Sequence, residues 1–140
     1  MALKMTREDL QAFVSEVFPQ VADDFTVMEV APMEITVRLN VGERHLRPGG
    51  TISGPSMFGL ADVAIYLAIM AMIGPKALAV TTNSSMDFMR KPAAGVDLIA
   101  KCQLLKLGRV LAVGDVLLYS EGMAEPVARA SMTYSIPPKG

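Results

Sequence analysis

The run from Met57 to Ile73 carries one charge, Asp62, in an otherwise apolar stretch. Such a run either crosses a membrane or is covered by protein. Asp62 interrupts it, and only Val63 to Ile73 separate that charge from Gly74-Pro75, which is short of the roughly 20 apolar residues a span needs. A helix apolar on nearly every side and too short for a bilayer belongs inside protein. The expectation is therefore no membrane partner, and a fold whose remaining elements enclose this helix. Its ends are marked in the sequence. The helix begins near Ser56, with Pro55 suited to the first turn because its missing N–H is unneeded there, and Gly74-Pro75 closes it.

The flanking segments supply the cover. Thr6 to Phe18 reads as an amphipathic helix, with Thr6 and Asp9 spaced as a capping box and Leu10, Phe13, Val14, Val17 and Phe18 as its apolar stripe. Phe25 to Val30 and Glu34 to Leu39 read as a hairpin around Ala31-Pro32-Met33. Asn40 to Pro55 is turn-rich, holding His45, Arg47, Pro48, Gly49 and Gly50. Four β-rich runs follow: Ala79 to Met89, Val96 to Leu107, Val110 to Ser120 and Val127 to Ile136. The breaks between them look like three successive hairpins, which implies an antiparallel sheet. One domain over residues 1–140 accounts for the whole pattern. The fold class is α+β, a curved antiparallel sheet wrapped around a long central α-helix, with a short N-terminal helix. A ferredoxin-like sandwich fits less well, because it wants two comparably buried helices alternating with the strands.

Composition removes several functions. A net charge of −1 and a pI near 5.8 offer no basic patch, so nucleic acid is not an expected partner. One cysteine, Cys102, and one histidine, His45, leave neither an internal disulfide nor a zinc-ligand set. The expected metal content is none. The first residues turn acidic before any apolar run of signal-peptide length, so the expected location is cytoplasmic.

The segment His45-Leu-Arg-Pro-Gly-Gly-Thr-Ile-Ser-Gly-Pro-Ser-Met-Phe-Gly-Leu-Ala-Asp62 resembles the signature of the phenylacetyl-CoA-thioesterase-like branch of the hotdog-fold acyl-CoA thioesterase superfamily. That signature runs H-x-N, then G-x-x-H-G-G, then a helix bearing a carboxylate eight residues past the middle of H-G-G. Met86-Asp87-Phe88-Met89-Arg90-Lys91-Pro92-Ala93 resembles the family's D-F-x-R-P-A with one residue inserted. Gly108-Arg109 resembles its G-R turn, and Val127-Ala128-Arg129-Ala130 its last strand. The resemblance implies hotdog architecture, an acyl-CoA substrate with CoA as part of it and no separate cofactor. It also implies a homodimer with composite sites, and dimers paired into a homotetramer.

The residues single out Asp62 independently. A carboxylate within an apolar helix is costly unless it is paired or used. It is either a buried acid satisfied by its surroundings or the general base or nucleophile of a reaction. The helix N-terminus at Gly54 is the second element, because open amides and the positive end of the dipole suit a carbonyl gaining negative charge. A loop shaped only to start a helix would have the same residues. Gly54 and Asp62 lie on the order of 12 Å apart along one helix, so they share a reacting carbon only if they come from two subunits.

The carry-over from the family then assigns further roles. Ser53 stands where the family has histidine, Pro55 where it has a second glycine, and Arg47 where it has the asparagine that places the lytic water. Arg47 beside the partner's Asp62 would weaken it as a base, or would grip an anionic part of the substrate. Thr81 and Asn83 fall where the family places a hydroxyl near the water. Arg90, Lys91, Lys106 and Arg109 would meet CoA phosphates, or would be solvated surface charges. His45 reads as a structural or solvated loop residue, Cys102 as inert, and the many methionines as core filler or an adaptable acyl pocket. The leading expectation is thioester hydrolysis by Asp62 and the Gly54 amide. The alternatives are an acyl-thioester binding module without turnover and, behind it, a hydratase or dehydratase, for which His45 is poorly placed.

Overall fold

The computed structural model describes residues 2–76 and 78–137, so Met1, Ala77 and residues 138–140 lie outside the described residues. Helix α1 spans Arg7–Val17 and opens with the expected capping box: the Thr6 hydroxyl accepts from the Asp9 N–H at 3.1 Å, and Asp9 Oδ2 accepts from the Thr6 N–H at 2.9 Å. Leu10, Phe13 and Val14 are buried and dock it against the core. Ahead of it, the Lys4 and Met5 N–H groups donate to Ala71 O at 2.7 and 3.3 Å, tying the chain's start to the far end of the central helix.

Strands β1 (Phe25–Ala31) and β2 (Glu34–Leu39) form the expected hairpin. Its turn is tighter than expected, Pro32 and Met33 alone, with Met33 at φ 66°. The central helix α2 spans Gly54–Ile73, starting two residues before the expected point because the Ser53 side chain caps it, accepting from the Ser56 N–H at 3.2 Å. At 20 residues it is, by length and composition, long and apolar enough to cross a membrane. That corrects the expectation that it is too short, which counted only the stretch after Asp62. Burial makes it a core helix all the same: 67% of its most apolar 18-residue window lies inside the protein.

Strands β3 (Val80–Phe88), β4 (Leu98–Leu107), β5 (Leu111–Ser120) and β6 (Ala128–Ser135) complete an antiparallel sheet in the order β1-β2-β4-β5-β6-β3. One expected connection is corrected. The β3–β4 link is not a hairpin, because β3 pairs with β6 and β4 pairs with β2 and β5. The link instead crosses the end of the sheet, held by the Met89 and Arg90 N–H groups on Val127 O and by the Ala93 N–H on Ser120 Oγ. Turn residues fix where a strand stops but not which edge the next strand joins, and this choice leaves β3 as an open edge.

Burial alternates along β4, β5 and β6, with Ala100, Ala112, Ala128 and Ala130 among the inward residues. These small side chains let α2 lie close on the sheet. A Cβ on Gly114 would stand 3.2 Å from Leu104 Cδ2 and 3.4 Å from Ile65 Cγ1. Over that surface Leu60, Ile65, Leu67, Ile69 and Met70 are fully buried, each worth about 1.5–3 kcal/mol relative to exposure. A helix this apolar is stable only under such cover.

Candidate active site

Asp62 lies on the flank of α2 that faces the sheet's open-edge side, and it is half-buried. The Thr81 hydroxyl donates to Asp62 Oδ1 at 2.5 Å, and the Tyr134 phenol donates to the same oxygen at 2.6 Å and to the Asp62 backbone O at 3.1 Å. Oδ2 takes no hydrogen bond among the described residues. No buried side-chain oxygen or nitrogen lacks a partner there, so Oδ2 is not sealed from solvent. Two hydroxyls thus orient the carboxylate through one oxygen and leave the other available for chemistry.

The sheet register sets this up. Thr81 on β3 sits opposite Tyr134 on β6, and the ladder shifts between Thr81 and Asn83. Such a bulge re-aims the side chains beside it. Thr81 points at Asp62, while Asn83 is exposed and makes no contact with it. The Tyr134 ring is braced in turn by Tyr66, one helical turn beyond Asp62, at 6.1 Å between ring centroids; Tyr66 stacks on Phe13 at 6.0 Å and meets Phe18 edge-on at 5.6 Å. Burial first, then the hydrogen bond and charge of Asp62, push the Tyr134 phenol well above the usual tyrosine range. It remains a donor through neutral and mildly alkaline pH.

Tyr134 was not among the residues the sequence singled out. The signal was there. Ala128, Ala130 and Met132 occupy the other inward positions of β6, and a tyrosine in such a row carries a hydroxyl that must find a buried acceptor. The lone acid of α2 supplies it.

The start of α2 is differently made. Gly54 is its first residue, and its N–H has no acceptor among the described residues. The Phe88 ring covers the glycine, with Cζ 3.4 Å from where a Cβ would stand. Strand β3 therefore runs alongside α2, Thr81 meeting Asp62 and Phe88 meeting Gly54. The Ser53 hydroxyl caps the helix and also donates to Ser56 Oγ at 3.0 Å, so it serves the helix start. Pro55 is exposed in the first turn. Arg47 is exposed in the tight turn before the helix, where its N–H donates to Thr51 O at 2.8 Å and its side chain makes no ion pair among the described residues.

The four cations assigned to CoA are not together in one protomer. Arg90 and Lys91 follow Phe88 at the Gly54 end of the sheet; Lys106 and Arg109 lie at the opposite end, around the β4–β5 turn. Arg90 is also engaged, with Glu125 at 3.0 Å and Pro126 O at 2.7 Å. Cys102 is buried beneath the helix, and burial together with the charge of Asp115 pushes its thiol up to about 12, which makes it inert near neutrality.

A six-stranded antiparallel sheet curled on one long helix, with a single acid on that helix and an open amide at its start, defines a hotdog-fold protein of the thioesterase class. The chain belongs to the thioesterase superfamily, whose family model matches residues 49–127. It is 62% identical to a "putative thioesterase" of Silicibacter sp. TM1040, over 99% of this chain and 96% of that one, with a TM-score of 0.93. It is 32% identical to a mutant form of the phenylacetic acid degradation protein PaaI from Thermus thermophilus, over 85% of this chain and 99% of that one, with a TM-score of 0.73. Among curated proteins, acyl-coenzyme A thioesterase 13 of Mus musculus is 24% identical over 83% of this chain and 82% of its own length.

Proposed function

We propose that the chain is an acyl-CoA thioesterase acting as a homodimer, with each site shared between two protomers. The observation that carries this is the Asp62 carboxylate, fixed through Oδ1 by Thr81 and Tyr134 with Oδ2 left without a hydrogen bond among the described residues. The assembly is supported by the open edge. Strand β3 is unpaired on its outer side, and Leu78, Val80, Phe88 and Met89 expose apolar surface along it, with Phe58 of α2 beside them. A second copy pairing antiparallel about a two-fold between Ser84 and Ser85 sets Phe88 opposite the partner's Thr81. The Gly54 amide then lies beside the partner's Asp62, bridging the separation along α2 that keeps the two apart in one protomer. The same operation brings Arg109 of one copy toward Arg90 and Lys91 of the other, a cationic rim suited to CoA phosphates.

In such a site the Gly54 N–H donates to the thioester oxygen as it gains negative charge. Asp62 Oδ2 takes a proton from water, the water oxygen bonds to the carbonyl carbon, the C–S bond breaks, and the proton passes to the departing CoA thiolate. Direct attack by Oδ2, with the resulting anhydride hydrolysed afterwards, is the other route open to a carboxylate with one oxygen free. Pairing of dimers into a tetramer through the outer sheet face is supported by two adjacent ladder rows. One holds Glu34, Gln103 and Asp115, the next Lys101, Leu117 and Arg129, so a two-fold opposes unlike charges.

A second reading, acyl-thioester binding without turnover, is favoured by Arg47 and by the capping role of Ser53. Complementation separates the two. Asp62→Asn and Gly54→Pro chains, each inactive alone, are co-expressed with different tags and assayed against a panel of acyl-CoAs. Shared sites restore about a quarter of wild-type activity in an equal mixture, since half the dimers are mixed and each has one intact site. No recovery in isolated mixed dimers would exclude shared sites, and a wild type that binds acyl-CoA without releasing thiol would exclude hydrolysis.

A further inference from the structure

His45 and Asp24 are both almost fully buried, and the proposed reaction uses neither. Imidazole Nδ1 accepts from the Gly42 N–H at 2.8 Å, so the ring's proton is on Nε2, which stands 3.2 Å from Asp24 Oδ2. Asp24 is itself fixed: its N–H donates to Val21 O at 2.9 Å, its carbonyl accepts from the Asn40 N–H at 2.7 Å, and Oδ1 pairs with Arg44. The imidazole is thus a buried strut between the start of β1 and the loop that leads into α2.

The strut reaches the amide donor through the backbone. His45 O accepts from the Ser53 N–H at 2.8 Å, Leu46 and Ile52 form a bridge, and the Arg47 N–H closes the turn on Thr51 O. Residues 45–53 are therefore a closed loop whose two ends are joined at His45 and Ser53, and Gly54 is the next residue. His45 thus fixes the loop side of Ser53, and Ser53 O, in the same peptide plane as the Gly54 N–H, accepts from the Met57 N–H at 3.1 Å on the helix side.

We propose that Asp24 and His45 are positioning residues for that amide, an inference that rests on the role given to Gly54 above. Neither touches the reacting atoms. Their work is to hold the loop side of that peptide, whose helix side is held by the Met57 N–H on Ser53 O at 3.1 Å, because the Gly54 N–H has no acceptor among the described residues and the outer turn of the loop, at Arg47 to Gly50, is exposed. A donor displaced by about 1 Å costs up to about 100-fold in rate, and it does so in the transition state, where the carbonyl oxygen carries charge.

The test pairs two readouts on the full-length protein. His45→Ala is expected to lower kcat by about 10- to 100-fold with KM within about twofold. His45→Gln, whose amide nitrogen reaches toward Asp24 as Nε2 does, is expected to restore most of the loss, and Asp24→Ala to match His45→Ala. Independently of activity, amide hydrogen exchange at Ser53 is expected to accelerate at least about tenfold in His45→Ala, while Ile65 in the middle of α2 stays at its wild-type rate. Equal acceleration at Ser53 and Ile65 would reduce the pair to a general stabiliser and overturn the proposal, as would an unchanged Ser53. If wild-type protein hydrolyses no thioester, the function proposed above fails, and the exchange result still decides whether the strut holds the loop.

Discussion

Around Asp62 every partner is a packed side chain of the same protomer: Thr81 and Tyr134 meet the carboxylate, and Tyr66, Phe13 and Phe18 wall them in. Around Gly54 there is a capped helix start, one aromatic ring and an amide without an acceptor among the described residues. The middle and the start of one helix thus differ in completeness. The acid is oriented by side chains of its own protomer, whereas the amide is held in place with its N–H unpartnered among the described residues. A group that must keep one reactive oxygen facing outward needs its other oxygen saturated. A donor that acts on a charge present only in the transition state needs to stay free until then.

The largest way to break this contrast is Asp62→Asn, which keeps the shape and the hydroxyl contacts but removes the base or nucleophile. It should lower kcat by about 10²–10⁴ with an unchanged melting curve, measured by thiol release and circular dichroism. Next, Gly54→Pro deletes the amide and should cost about 10²–10³ in kcat. Gly54→Ala, whose Cβ meets Phe88 at ordinary contact distance, should stay near wild type, and a comparable loss in both would mean the N–H is not the donor. Tyr134→Phe leaves Asp62 Oδ1 with Thr81 alone and should reduce kcat by about 10- to 100-fold, in line with about 1.5–3 kcal/mol for a hydrogen bond to a charged group.

Arg47→Asn sharpens the comparison from the amide side. If the guanidinium restrains the partner's acid, turnover should rise about two- to tenfold, and no gain would leave Arg47 to the substrate. The smallest effect is one of stability. Burial raises the Cys102 thiol from its ordinary 9.0 to about 12. The unfolded chain therefore ionises first, and the stability this burial contributes is complete below pH 9 and lost as pH climbs toward 12. At about pH 10 the loss is on the order of 1 kcal/mol, visible as a lower urea midpoint, and Cys102→Ala should flatten that decline. Tyr134, raised in the same direction, adds to it above the ordinary tyrosine value of 10.0.

Much of this was legible in the residues. The capping box at Thr6 and Asp9, the hairpin of β1 and β2, and the acid among apolar neighbours follow from local chemistry: spacing, turn preference and the cost of burying charge. The position of Asp62 also announced that some partner must exist. Its partners were less legible, because Thr81 and Tyr134 are far apart in the chain and meet only through the β3–β6 ladder. His45 was readable as a structural residue, but not as half of a buried pair with Asp24.

By itself the sequence determined that one apolar helix must be enclosed by an antiparallel sheet, and it singled out the lone acid and the glycine start of that helix as the candidates for chemistry, because hydrophobic burial and charge desolvation act on each residue wherever it goes. Only the tertiary structure decided that β3 joins β6 and leaves an edge open, that Tyr134 holds Asp62, and that His45 braces the loop before Gly54. Those outcomes depend on which distant segments pair, and strand pairing is set by the packing of the whole sheet rather than by any local pattern.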